Sequence, residues 1–199
     1  MKSLAVGLAL AYPVLMHVAV IWNLPLLRLL ALSCLTAAIV VVPRVRRVGA
    51  WLLALGIVAA IVGLSKWDGA RYTAYLPPIF IHALLLWVFA RTLQPGKEPL
   101  VSAIGRSVRG SLSPDLAQYT RQVTVMWTGF FLLLLVLSVV LPFVSIYAWS
   151  LCTNVLNYAL IAAILVIEFF FRRWRFPTHH HHNLFGYLRI VAKTNVRGF

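Results

Sequence analysis

Apolar residues along the chain gather into blocks of roughly twenty, each closed by turn-forming or basic residues rather than alternating with polar ones. These blocks predict helices at about 4–21, 26–42, 49–65, 72–93, 123–141 and 146–171. Pro13 falls inside the first, and Asn23-Leu24-Pro25 makes a tight turn into the second. Pro43 closes the second, Pro77-Pro78 stand near the start of the fourth, and Pro142 closes the fifth. Each block is close to the ~20 residues with which a helix crosses ~30 Å of hydrocarbon. The expected fold is an all-α, polytopic membrane helix bundle of six transmembrane helices, one domain over residues 1–171. Lys2 and Ala9-Leu10-Ala11 have the outline of a signal peptide, but the apolar run continues through Val20 and predicts an uncleaved first helix.

Two stretches break the pattern. In the loop 94–122, Leu100, Val101, Ile104, Val108 and Leu112 recur every three or four residues, with Arg106 and Arg109 off that stripe. This spacing predicts a short amphipathic helix at the inner membrane surface. Ser113-Pro114-Asp115 then has the order of a helix start, and that helix is expected to run on into the fifth block. The second stretch, 172–199, is a basic tail opening on Arg172, Arg173 and Arg175.

Composition supports a lipid-solvated chain. Hydrophobic residues make up 62% and charged residues 11% of the 199 residues, and the mean hydropathy is +0.90. Soluble domains carry about a quarter charged residues. There are 18 Lys and Arg against 4 Asp and Glu. With the N-terminus inside, all basic residues but Arg28, Lys66 and Arg71 fall on the inner side, which predicts N-in, C-in topology and an even number of crossings. Topology accounts for the excess charge without nucleic acid. The bilayer is the first expected partner, and anionic head groups or an acidic protein are the next. Trp22, Trp67, Tyr72, Trp127, Tyr147, Trp149 and Trp174 stand near predicted helix ends, as an aromatic belt requires.

Candidate chemistry rests on polar residues inside the apolar blocks, where burying charge is costly. Glu168 lies on the stripe Asn154, Asn157, Ile161, Ile164, Glu168, which should face other helices. Arg172, four residues on, is placed to pair with it, so a structural ion pair stands beside a functional carboxylate. His17 and His82 are the other intramembrane candidates, and Asp68 lies on an outer loop. A packing role for each His stands beside proton or acyl transfer, which needs a partner within hydrogen-bond reach. Cys34 and Cys152 fall in apolar blocks and are expected to be packing residues, with no zinc-type spacing. The run His179-His182 lacks the spaced ligands of a structural zinc site. No nucleotide-binding loop or hydrolase motif occurs, so no metal, cofactor or catalytic set is expected.

Several ordered stretches resemble one family. They are Tyr75-Leu76-Pro77-Pro78, Arg91-Thr92-Leu93 through Pro95-Gly96-Lys97-Glu98-Pro99-Leu100, Tyr119-Thr120-Arg121 with Trp127, Asn154-Val155-Leu156-Asn157-Tyr158, and Arg172-Arg173-Trp174-Arg175-Phe176-Pro177. The set is similar to small inner-membrane proteins of Gram-negative bacteria whose genes accompany fatty-acid-synthase-like enzymes in aryl-polyene or xanthomonadin-type pigment clusters. The resemblance covers most of the chain from Tyr75 onward and implies a bacterial inner-membrane location and a polyketide-like pathway. Such proteins are sometimes labelled ketosynthase. A condensing enzyme needs a two-lobed soluble fold with a Cys nucleophile and two His, which this chain is too short to supply. The expected role is an accessory scaffold whose cytoplasmic residues Arg106, Arg109, Arg121, Arg172, Arg173 and Arg175 dock acidic acyl carrier proteins and biosynthetic enzymes. Two alternatives are transport or flipping of a lipid-linked polyene, using the helix-breaking prolines, and a membrane-embedded acyl transferase using His17 or His82.

Overall fold

The structure, a computed structural model, describes residues 2–41 and 74–176. The helix expected at 49–65, Asp68, the basic residues after Pro43, and the tail beyond Phe176 with His179-His182 lie outside these residues. In chain order the elements are α1 (Lys2–Ile21), α2 (Pro25–Val41), α3 (Leu76–Arg91), α4 (Leu100–Arg109), α5 (Pro114–Val144), α6 (Ile146–Leu151), a π-helical turn (Cys152–Leu156) and α7 (Asn157–Arg175). Among the described residues every regular element is helical. The chain divides into two compact units, Met1–Phe80 with Leu135–Ala159, and Ile81–Leu134 with Leu160–Phe199.

In the first unit α1 and α2 form a hairpin. The turn closes through the Leu24 amide on the Ala19 carbonyl, 2.9 Å, and needs a left-handed residue, Asn23 at φ +50°. Asparagine tolerates that conformation, and its Oδ1 accepts from Arg28 Nη2 at 2.8 Å. Tyr12, Met16 and Val20 recur every four residues along α1 and pack with Ala31, Leu32, Ala74 and Trp149. Tyr75 meets the Trp149 ring edge-on at 4.6 Å.

In the second unit Val123, Trp127, Phe131 and Leu134 of α5 form the buried row, with Phe89 of α3 and Ile161, Ile164 and Leu165 of α7 against it. Trp127 stacks on Phe131 at 5.5 Å. Trp127 and Trp149, 7% and 0% exposed, therefore belong to cores and not to an aromatic belt, whereas Trp22 and Trp174 are 67% and 76% exposed.

The helix ends differ from expectation where local hydrogen bonding overrides composition. α3 begins at Leu76 rather than 72, with Pro77 and Pro78 in its first turn, where their missing N–H groups cost nothing. α5 begins at Pro114, as the Ser-Pro-Asp signal requires, and continues unbroken through the fifth apolar block. It passes Pro142 because the Ser145 amide still reaches the Leu141 carbonyl at 2.8 Å. The break comes at Ser145, whose extended backbone and Oγ, accepting from the Ala148 amide, start α6. α7 runs to Arg175, four residues past the predicted end.

Pro114–Val144 and Ile146–Arg175 are long and apolar enough to cross a membrane, and their most apolar 18-residue stretches have mean hydropathies of 2.4 and 2.0. Only 33% and 22% of their most apolar windows are buried inside the protein. Leu132, Leu133, Val136, Val139 and Ile167 face outward. The shorter apolar helices are Val6–Ile21, Pro25–Ala38 and Leu76–Arg91.

Candidate functional site

The basic end of the second unit is built around α4. Pro99 precedes the helix and carries no capping group, so the first amides of α4 must find other acceptors. The Leu100 amide donates to Thr92 Oγ1 at 3.1 Å and the Val101 amide to Thr124 Oγ1 at 3.3 Å. Ser102 Oγ lies 2.7 Å from Thr120 Oγ1. Thr120, Thr124 and Thr128 also donate to carbonyls one turn back. This ladder of hydroxyls along α5 holds α4 against it. Leu100 and Ala103 are 5% and 6% exposed. The apolar side of α4 thus packs within the unit, and Arg106 and Ser107 are exposed. Gly110 closes the helix at φ +80°, its amide on the Arg106 carbonyl at 2.8 Å.

Arg106 Nη2 pairs with Glu98 Oε1 at 3.0 Å, with side chains 60% and 29% exposed. Arg121, Arg173 and Arg175 are exposed, and Arg109 is the last residue of α4. Arg91 lies over the Trp87 ring at 4.3 Å, a cation–π contact. Arg172 differs from its neighbours. Its side chain is 13% exposed and its Nε is 3.6 Å from Glu168 Oε1. Glu168, 8% exposed, also accepts from Tyr119 Oη at 3.3 Å. Tyr119 is packed between Phe171 and Phe176, with centroids at 6.1 and 5.4 Å. Glu168 therefore joins α7 to the start of α5 through Tyr119, with Arg172 beside it, while Arg121, Arg173 and Arg175 are exposed.

The histidine and asparagine candidates fall in both units. His82, 2% exposed, belongs to the second. His17, half-buried, belongs to the first, where its Nδ1 lies 3.0 Å from Ser150 Oγ. Asn154 Nδ2 donates to the same Oγ at 3.2 Å. Asn154 and Asn157 are 4% and 6% exposed. The π-helical turn that holds Asn154 and ends before Asn157 is marked by the Asn157 amide on the Cys152 carbonyl, five residues back. Such turns frequently mark functional sites. Cys34 and Cys152 are free thiols. Among the described residues no three His, Cys, Asp or Glu side chains converge as metal ligands would.

Sequence reasoning missed Ser150, Tyr119 and the threonine ladder. Ser150 stands on the Asn154–Asn157 stripe one turn earlier, and Thr120, Thr124 and Thr128 repeat every four residues. Polar residues at helical spacing inside an apolar run were the available signal. Compared with protein-family models, curated proteins and solved structures, the chain matches none.

Proposed function

We propose that this chain is a multi-pass inner-membrane accessory protein, six helices with both termini inside, that docks acidic acyl carrier proteins of a polyene-making system on its cytoplasmic face. The membrane reading is supported by two helices of spanning length whose apolar residues point mostly outward, which a bilayer covers and water does not. The resemblance to pigment-cluster membrane proteins supplies the pathway.

One observation carries the docking role. The described part of the second unit holds eight basic residues against Glu98, Asp115 and Glu168, and Glu168 is buried. Arg121, Arg173 and Arg175 are exposed on helix ends fixed by the Tyr119–Glu168 bond. Exposed guanidinium groups suit an acidic protein surface by complementary charge. Contacts of this kind weaken over the ~8 Å Debye length of physiological salt.

The test is deletion of the gene in its bacterial host, extraction of membrane-bound pigment, and complementation by two variants of verified abundance and topology. One variant changes Arg106, Arg121, Arg173 and Arg175 to Gln. The other changes His17, His82 and Glu168. Pigment lost with the first alone supports docking, reinforced if carrier binding by the purified protein falls steeply with salt. Pigment lost with the second alone moves the function to transport or catalysis. Pigment unaffected by deletion removes the pathway assignment.

A further inference from the structure

The first unit carries a set of buried polar atoms that its own packing does not satisfy. Tyr12 Oη, Trp149 Nε1, Asn154 Oδ1 and Asn157 Oδ1 have no hydrogen-bond partner among the described residues. Their residues are 3%, 0%, 4% and 6% exposed. All four belong to the first unit. Tyr12 and Trp149 belong to one packed cluster. Trp149 precedes Ser150, which His17 and Asn154 both engage. Asn157 follows Asn154 by one turn at the end of the π-helical segment. α1 packs against both α6 and that segment.

We propose that this interface of α1 with the π-helical turn binds the uncharged hydroxyl head of an otherwise apolar molecule. Trp149 offers an N–H donor and Tyr12 an O–H that can also accept, while the two asparagine oxygens accept. A hydroxyl donates once and accepts twice, so it answers the Trp149 and Tyr12 donors and one asparagine oxygen, three of the four groups, whereas a carboxylate would face the asparagine oxygens with no donor of its own. A charged head is further disfavoured, because the described α1, α6 and π-helical segments between Ser3 and Leu156 contain no Lys, Arg, Asp or Glu beside these groups. The body of the ligand is apolar because the surroundings are. Met16 and Val20 line the cluster, and Leu10, Val14, Leu151 and Val155 on the same elements are exposed. Buried polar atoms are normally satisfied, so four orphans in one unit point to something that answers them. This site does not depend on the docking role of the second unit.

The experiment uses the full chain in lipid nanodiscs, 1-dodecanol as the probe and dodecane as the control. The expected result is a saturable rise in melting temperature with the alcohol alone. Tyr12→Phe and Asn157→Leu each remove one orphan at nearly constant volume. Both variants should fold with a melting temperature no lower than the parent, and should need about tenfold more alcohol for the same shift, the loss of one neutral hydrogen bond. Equal shifts with dodecane, or an unchanged alcohol response in both variants, would overturn the proposal. So would destabilisation of both variants without alcohol, which would assign the four atoms to internal water or to the protein itself.

Discussion

Replacing Arg172 should damage the protein more than replacing the glutamate it serves. Glu168 is 8% exposed and has two partners, Tyr119 Oη at 3.3 Å and Arg172 Nε at 3.6 Å. Removing one member of a buried ion pair leaves an uncompensated charge and costs ~3–5 kcal/mol. This contact is longer than an ideal pair, and the Arg172 side chain is 13% exposed, so Arg172→Met should cost about 2–3 kcal/mol. Glu168→Gln leaves no charge behind and keeps an acceptor for Tyr119, so its cost should be about 1 kcal/mol. The double variant should lie close to Glu168→Gln alone, because the damage from losing Arg172 is the stranded carboxylate. Equilibrium unfolding in mixed micelles, run as a double-mutant cycle, measures all three. If Arg172→Met is no worse than Glu168→Gln, or if the two costs simply add, Glu168 is not held as a charge by Arg172 and its place as a joint between α5 and α7 fails.

Three further outcomes follow from the second unit. Trp127→Ala removes a ring packed on Phe89, Phe130 and Phe131 and should cost about 3–5 kcal/mol, read as a lower midpoint in the same unfolding measurement. Ser102→Ala strips Thr120 of its link to α4 and should cost about 1–2 kcal/mol, while raising the rate of limited proteolysis between Thr92 and Ser113. An unchanged cleavage rate would mean that the threonine ladder does not hold α4. Gly110→Ala forces a side chain onto φ +80° with open space around it, so only backbone strain of about 1–3 kcal/mol is at stake. Gly105→Ala instead meets Leu112 at 3.3 Å, and comparison of the two separates strain from crowding.

The long helices were legible because an apolar block needs no partner to declare itself. Pro25 and Pro114 marked true starts, since a proline at the first helical position loses nothing. Pro142 misled, because one missing amide in a last turn is cheaper than ending a helix whose next amide, at Ser145, still has an acceptor. The stripe through Asn154, Asn157 and Glu168 was visible as spacing, and all three are buried. The π-helical turn around Asn154 was not, because a shift of hydrogen-bond partner leaves hydropathy untouched. The His17–Ser150 contact joins residues 133 apart, and no local pattern encodes it. Trp127 and Trp149 occupied belt-like positions in the sequence, yet neighbours on other helices enclose them. Periodicity names the face of a helix but not what covers it.

The distribution of side chains along α5 has a consequence for how such a chain tolerates change. Threonines and serines at 120, 124 and 138 are fully covered, while leucines and valines at 132, 133, 136, 139 and 140 look outward. In a water-soluble protein the large aliphatic positions are the ones a random substitution harms, and the small hydroxyls are expendable. Here the order is reversed. One outward aliphatic group exchanged for another leaves every helix–helix contact as it was. Exchange of a covered hydroxyl removes both a hydrogen bond and the close approach that its small size allows. A saturation scan of α5 should therefore be most permissive where the side chains are largest and least permissive where they are smallest.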